Sequence, residues 1–122
     1  RVRIDSTVTE ALLTTVPEAF AGHVNDALVA ALARAVRSWQ QSRDITDDAA
    51  VSVLMEGHGR YEEVVERSSD PRTADLSRTV GWFTAITPMA IDPSGSIVHA
   101  VKAAKEERLS QPDRGIGFGL LR

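Results

Sequence analysis

The chain has 122 residues, 43% of them hydrophobic, which suits one compact domain or one lobe of a larger domain but not two independent cores. Its 17 acidic and 14 basic side chains give a formal net charge of -3 at pH 7, and no block of Lys and Arg could neutralise a row of phosphates, so nucleic acid is excluded as a general partner. The lack of cysteine, of a signal-peptide pattern and of any long apolar run excludes disulfides and thiolate metal sites, and predicts a cytoplasmic protein without membrane contact.

The N-terminal part of the chain predicts a short strand followed by two helices. Polar and apolar residues alternate from Arg1 to Asp5, which is typical of a half-buried strand. Thr7 and Glu10 have the spacing of a capping box, so a short helix is expected to begin there and to end before Pro17. A long helix is predicted from about Asn25 to Gln41. Its apolar residues recur three or four positions apart on one side: Leu28, Leu32, Ala35, Val36 and Trp39.

The middle of the chain predicts an interior strand that ends in a turn. Ala50 to Met55 is a nearly continuous apolar run, short enough for a strand buried on both faces. It leads directly into the segment from Glu56 to Arg60. A short helix is then expected through Val64 and Val65, and Arg67 to Asp75 is rich in turn-forming residues.

The C-terminal part predicts a second strand region, a helix and a loop. Thr79 to Ile91 is expected to form a strand that is interrupted at Gly81 and Pro88. Gln111 to Arg122 is expected to be a loop, and its glycines lack the spacing of a phosphate-binding loop. The helix between them is amphipathic. Its apolar side holds Ile97, Val98, Val101, Ala104 and Leu109.

These elements predict a layered α/β arrangement in which helices flank a mixed sheet. Only three strands can be found, fewer than the usual four to six, so the sheet is expected to be completed by segments outside the chain. The sequence opens at Arg1 without an initiator Met and ends at Arg122 directly after a glycine-rich stretch. We therefore expect a piece of a longer polypeptide, cut at both ends.

The candidate site is the segment that follows the interior strand. Glu56-Gly57-His58-Gly59-Arg60 combines a base, an acid and a permanent cation, and its glycines allow a sharp turn. A carboxylate at the end of a buried strand has its pKa raised by desolvation, which suits it to take and return a proton near neutral pH. Arg60 can fix a carboxylate or stabilise negative charge. The same pattern also fits an ordinary ion pair between Glu56 and Arg60.

Other chemically active residues have purely structural interpretations. A histidine in a turn, such as His58, is commonly a surface residue, and the other histidines do not stand at metal-ligand spacing from it, so no metal site is expected. Trp82, beside Gly81 and Phe83, fits a core strand in which aromatic rings fill space. No Gly-x-Ser-x-Gly motif supports acyl-enzyme chemistry on serine.

Three blocks, in this order, resemble the epimerization domains of nonribosomal peptide synthetases. They are Glu56-Gly57-His58-Gly59-Arg60, Arg78-Thr79-Val80-Gly81-Trp82-Phe83-Thr84, and Pro112-Asp113-Arg114-Gly115-Ile116-Gly117-Phe118-Gly119. A weaker match is Asn25-Asp26-Ala27-Leu28-Val29-Ala30-Ala31 at the start of the long helix. Related condensation domains share the architecture but usually lack the residue sequences of the first two blocks.

The resemblance implies a fold similar to chloramphenicol acetyltransferase, in which two lobes face each other across a tunnel. Residues 1–122 then correspond to the C-terminal lobe. In the family, a His-His-x-x-x-Asp motif of the N-terminal lobe faces the glutamate that matches Glu56. That motif is absent from this chain, and so is the Phe-Asn-Tyr segment expected shortly beyond Arg122.

The resemblance also implies a reaction, namely inversion of the α-carbon of an aminoacyl or peptidyl thioester. Glu56 is assigned one of the two proton-handling positions and the missing lobe's histidine the other. Arg60 is assigned to the catalytic apparatus, whereas His58, Trp82 and Thr84 are expected to shape the site. No cofactor or metal is expected to bind directly, because the substrate arrives on the phosphopantetheine arm of a peptidyl carrier protein.

Two other interpretations stay open. The chain could belong to a condensation-type domain that forms peptide bonds, or to a non-catalytic lobe that docks a carrier protein beside neighbouring synthetase domains. If the chain is part of an enzyme, the isolated 122 residues are expected to be inactive. Exposed arginines could meet an acidic carrier surface, although solvated surface charge is the commoner explanation for such residues: Arg34, Arg37, Arg43 and Arg72.

Overall fold

The computed structural model describes residues 1–45, 50–65 and 76–121. Within them β1 and β2 pair in a two-stranded sheet accompanied by helices, which confirms the α/β class but gives one strand fewer than expected. The elements in chain order are α1 Ser6–Leu13, α2 Thr15–Phe20, α3 Val24–Gln41, β1 Val51–Gly57, α4 Glu62–Val65, β2 Ala85–Ile91, α5 Ile97–Ser110, a 3-10 turn Pro112–Gly115 and α6 Phe118–Leu121.

The chain divides into two compact units. The first comprises residues 1–53 and 89–110, and the second comprises residues 54–88 and 111–122. None of the described helices is long and apolar enough to cross a membrane. The turn predicted for Arg67 to Asp75 lies outside the described residues.

The N-terminus begins with exposed irregular backbone, so the strand predicted for Arg1 to Asp5 is wrong. The described part of the chain offers this segment no strand partner, and Val2 stays 93% exposed. Helix α1 is capped by Asp5, whose carboxylate accepts the Thr7 N–H at 2.8 Å. The capping box predicted at Thr7 and Glu10 is therefore wrong, because the cap lies two residues earlier.

The core of the first unit lies between α3 and α5, whose predicted extents are confirmed. The predicted faces are wrong in part, because Leu28, Leu32 and Trp39 of α3 are about half exposed. Small residues meet instead, which allows the two helix backbones to approach closely. The buried residues of this contact are Ala27, Val29, Ala30 and Ala33 from α3, and Ala100, Val101 and Ala104 from α5.

Asp26 and Arg108 join α3 to α5 within this core. The carboxylate of Asp26 is buried, and it accepts hydrogen bonds from Arg108 Nε at 2.6 Å and Arg108 Nη2 at 2.9 Å. The same carboxylate accepts the His23 N–H at 2.8 Å and so also caps α3. A Cβ at Gly22 would lie 2.8 Å from Asp26 Oδ2, so the small residue leaves room for this joint.

The residues of β1 alternate between more buried and more exposed positions. The prediction of a strand that is buried on both faces is therefore wrong. One face of β1 is open, and Leu54 on it is 64% exposed. Strand β2 begins only at Ala85, so the strand predicted from Thr79 is wrong for its first half. It runs unbroken through Pro88, which a strand with a free edge tolerates.

The predicted loop from Gln111 contains a 3-10 turn and the short helix α6, which corrects that prediction. Asp113 and Arg114 adopt left-handed backbone with φ of 46° and 53°, and Gly115 follows with φ of 79°. A Cβ at Gly115 would lie 1.5 Å from Thr87 Cγ2, so only glycine fits against this side of β2.

Candidate functional site

Glu56 lies near the end of β1 with its side chain on the exposed face of the strand. Within the described residues its carboxylate has no hydrogen-bond or ion-pair partner, so the ordinary ion pair with Arg60 is not formed. The described chain does not desolvate Glu56, which corrects the expectation of a buried strand end. The carboxylate is therefore available to a group that approaches this open face.

The chain turns sharply at His58 and Gly59. Gly59 is buried with φ of 63°, and a Cβ there would lie 1.6 Å from the carbonyl oxygen of Phe83. This close approach of two backbone segments requires glycine. His58 is exposed, and its Nδ1 accepts the Arg60 N–H at 3.0 Å. The neutral imidazole consequently carries its proton on Nε2.

The Arg60 side chain turns toward the segment before β2 and not toward Glu56. Its Nη1 donates to the carbonyl oxygen of Leu76 at 2.5 Å, and its Nη2 donates to that of Thr79 at 2.9 Å. Its Cζ lies 4.1 Å from the centre of the Phe83 ring. These contacts join the first and second motif blocks.

Trp82 and Thr84 are both exposed, and their expected role in shaping a site stays a prediction. Trp82 is 91% exposed, so the alternative of a core strand with buried rings is wrong for this residue. Phe83 is half-buried beneath Arg60. Gly81 separates Trp82 from Val80, which is 98% exposed.

Tyr61 and Arg114 adjoin the site, although the sequence assigned neither of them a role in it. The Tyr61 ring centre lies 4.7 Å from that of His58, and Arg114 Cζ lies 5.1 Å from the Tyr61 ring centre. The Tyr61 hydroxyl lies 3.0 Å from where a Cβ on Gly57 would stand. The first and third motif blocks therefore meet at Tyr61, and its adjacency to Arg60 was the only sequence signal for it.

Those arginines considered for carrier docking that lie in the described part of the chain have structural surroundings of their own. Arg34 Nη1 donates to the carbonyl oxygens of Gly95 at 2.8 Å and Pro93 at 3.3 Å, beside a cavity of about 520 Å³. Arg43 Cζ lies 4.9 Å from the Trp39 ring centre. Arg37 lines the same cavity as Arg34, and Arg72 lies outside the described residues.

The site offers one carboxylate and one imidazole on the segment that ends β1, while the guanidinium of Arg60 is bonded to the carbonyl oxygens of Leu76 and Thr79. Such a set can deliver or remove a proton from one side of a substrate. Inversion at carbon needs a second proton-handling group on the opposite side. Among the described residues of the second unit, no proton-handling side chain forms a hydrogen bond or ion pair with Glu56.

The described fold matches a portion of an epimerization or condensation-type domain, which has a chloramphenicol acetyltransferase-like architecture. The structure superposes on the crystal structure of the epimerization domain from the third module of tyrocidine synthetase B, with a TM-score of 0.75 and 30% sequence identity. The match covers 98% of this chain and 24% of that one. The chain is thus similar to a portion of an epimerization or condensation-type domain of a nonribosomal peptide synthetase.

Sequence comparison agrees with this assignment. The chain is 44% identical over 115 residues to chondramide synthase of Chondromyces crocatus, and 43% identical over 116 residues to one of the subunits of linear gramicidin synthase from Brevibacillus parabrevis. Each match covers 93% of this chain, but only 3% and 2% of the respective synthetase. No protein-family model matches the chain.

Proposed function

We propose that the chain is part of an epimerization domain that converts an L-aminoacyl or L-peptidyl thioester into the D form. The thioester acidifies the neighbouring Cα–H. A base removes that proton, the C–H electron pair is held in an enolate, and an acid returns a proton to the opposite face of the carbon. The net change in the substrate is confined to the Cα–H bond, and the proton lost to the base is replaced by one from the acid, so the reaction needs no oxidant and no second substrate.

Glu56 handles one of the two protons in this proposal. The observation that carries the proposal is the position of its carboxylate, which projects from the end of β1 beside a glycine turn and has no partner within the described residues. A histidine of the part of the domain outside this chain handles the other proton. His58, Trp82 and Thr84 shape the surroundings of Glu56.

The substrate and partners belong to the same proposal. The acyl group is carried on the phosphopantetheine arm of a peptidyl carrier protein, so the domain itself holds no cofactor. Neighbouring synthetase domains supply the thioester, and the reaction takes place in the cytoplasm. The similarity to multidomain synthetases supports these assignments.

The test is Glu56→Gln in the complete domain, assayed with a carrier-bound aminoacyl thioester in D₂O. Wild type should incorporate deuterium at Cα, and the variant should lose nearly all incorporation because the amide cannot accept the proton. The matched control is Glu106→Gln, which removes the same charge from an exposed position on α5. Undiminished incorporation in the Glu56 variant would remove this residue from the mechanism.

The same assay separates epimerization from peptide-bond formation. A condensation domain needs a second, acceptor thioester, whereas epimerization proceeds with one. Deuterium at Cα without an acceptor supports the proposal. A dipeptide product that forms only when an acceptor is added would assign the chain to a condensation domain instead.

A further inference from the structure

Arg60 and Glu62 hold Leu76 from both sides of its backbone. Arg60 Nη1 donates to the Leu76 carbonyl oxygen at 2.5 Å, while Glu62 Oε1 accepts the Leu76 N–H at 2.9 Å. Leu76 lies 16 positions from Arg60 and 14 positions from Glu62 in the chain. Two charged side chains thus replace the backbone partners that a strand would have provided.

Arg60 also fixes the residues that follow Leu76. Its Nη2 donates to the carbonyl oxygen of Thr79 at 2.9 Å, and its guanidinium lies over the Phe83 ring at 4.1 Å. The Phe83 carbonyl packs against Gly59, where no Cβ could be accommodated. We call residues 76–83 the clamped segment. It has no regular secondary structure of its own apart from a turn, so these contacts determine its position.

The clamped segment presents two large apolar side chains outward. Val80 is 98% exposed and Trp82 is 91% exposed, whereas Phe83 between Trp82 and β2 is half-buried. An irregular segment ordinarily loses conformational entropy when a ligand orders it, and this loss weakens binding. A segment that is already held in place avoids that loss.

We propose that Arg60 is a positioning residue, which acts on the reaction by holding the clamped segment and Trp82 in place and not through its charge at the reacting carbon. Its effect on the reaction rests on the proposed function, but the clamp itself does not. All the contacts that Arg60 makes to this segment use the planar, forked geometry of a guanidinium. A lysine would keep the charge but could not bond both carbonyls while lying flat on Phe83.

Hydrogen exchange followed by mass spectrometry tests the clamp directly. Arg60→Lys and Arg60→Gln should each raise the exchange of the amides of residues 76–84 by about tenfold, with that of α3 unchanged. The matched control is Arg78→Gln, which removes the same charge from an exposed residue of the same segment and should leave its exchange at the wild-type rate. Wild-type exchange in both Arg60 variants would overturn the proposal.

A second variant keeps the test decisive if the loss of Arg60 unfolds the chain, which would appear as raised exchange in α3 as well. Phe83→Leu removes only the ring beneath the guanidinium. Faster exchange confined to residues 76–84 in this variant supports the clamp, and unchanged exchange contradicts it.

Activity in the complete domain then distinguishes positioning from charge. If Arg60 acts through the clamped segment, Arg60→Lys should lower kcat/KM, and adding Trp82→Ala to it should cause little further loss, because both changes remove the same feature. Full activity of Arg60→Lys, or losses that multiply in the double variant, would show that Arg60 acts separately from Trp82. Because hydrogen exchange needs no turnover, failure of the clamp and failure of the epimerase proposal give different results.

Discussion

The carboxylate of Asp26 is buried at the joint of α3 and α5, where it meets Arg108 and the His23 amide. Asp26→Asn should lower the free energy of unfolding by about 2 to 3 kcal/mol, because a half-buried Arg108 then loses its counter-charge. Urea denaturation followed by circular dichroism measures this change. Glu106→Gln, an exposed change of the same charge on α5, should stay within about 0.5 kcal/mol of wild type. Equal stabilities would show that the ion pair contributes nothing.

Asp26 should also make stability depend on pH in the acidic range. Burial favours its neutral form, but the hydrogen bonds from Arg108 and His23 and the charge of Arg108 outweigh burial, so its pKa lies below the usual 3.8. A pKa that is lower in the folded state stabilises the protein above pH 3.8, and this stabilisation is lost as the pH falls through the folded value.

Urea titrations at a series of pH values below 5 should show this loss in wild type and a smaller one in Asp26→Asn. Asp92→Asn is the control. The pKa of Asp92 is also lowered, by its hydrogen bonds with Ser94, but its side chain is exposed. This variant should therefore keep most of the acid-dependent loss. If Asp26→Asn showed the same pH dependence as wild type, Asp26 would not be the source of the loss of stability in acid.

At the level of single elements, sequence periodicity predicted where α3 and α5 lie but not which face each buries. Helix α3 carries a stripe of large apolar residues and a neighbouring stripe of alanines. Hydrophobic periodicity predicts that the side with the large residues is the buried one. The structure packs the alanine stripe on α5, because small side chains let the helices approach closely. Strand predictions failed for a different reason, because Arg1 to Asp5 and Thr79 to Thr84 have no strand partner in the described chain.

The 3-10 turn and α6 contain two glycines that should respond oppositely to alanine. Gly115→Ala should lower the free energy of unfolding by about 2 to 4 kcal/mol, because its φ is 79° and the new Cβ would meet Thr87. Gly119→Ala lies in α6 with nothing within 4 Å, and should be neutral or stabilise by up to about 1 kcal/mol. Denaturant titration compares the pair. Equal effects would contradict the tight contact at Gly115.

For the whole molecule, the candidate site was predictable where it is local in sequence and not where it depends on distant contacts. Glu56, His58 and Arg60 stand together in one motif, so the sequence indicated them directly. The attachment of Arg60 to Leu76 and Thr79 depends on how 16 to 19 residues of chain fold back, which no local pattern encodes. The meeting of Tyr61 with Arg114 is non-local in the same way.

The composition of the site leads to a prediction for the whole chain. The proposed inversion requires proton-handling groups on both faces of the α-carbon, and our proposal assigns Glu56 to only one of them. The chain spans 24% of the solved domain that it resembles. The 122-residue chain alone should therefore incorporate no deuterium at Cα of a carrier-bound aminoacyl thioester, whereas the complete domain should incorporate it. Circular dichroism of the same sample checks that the isolated chain is folded. Incorporation by the isolated chain at a rate comparable to the complete domain would mean that a second proton-handling group lies within these 122 residues.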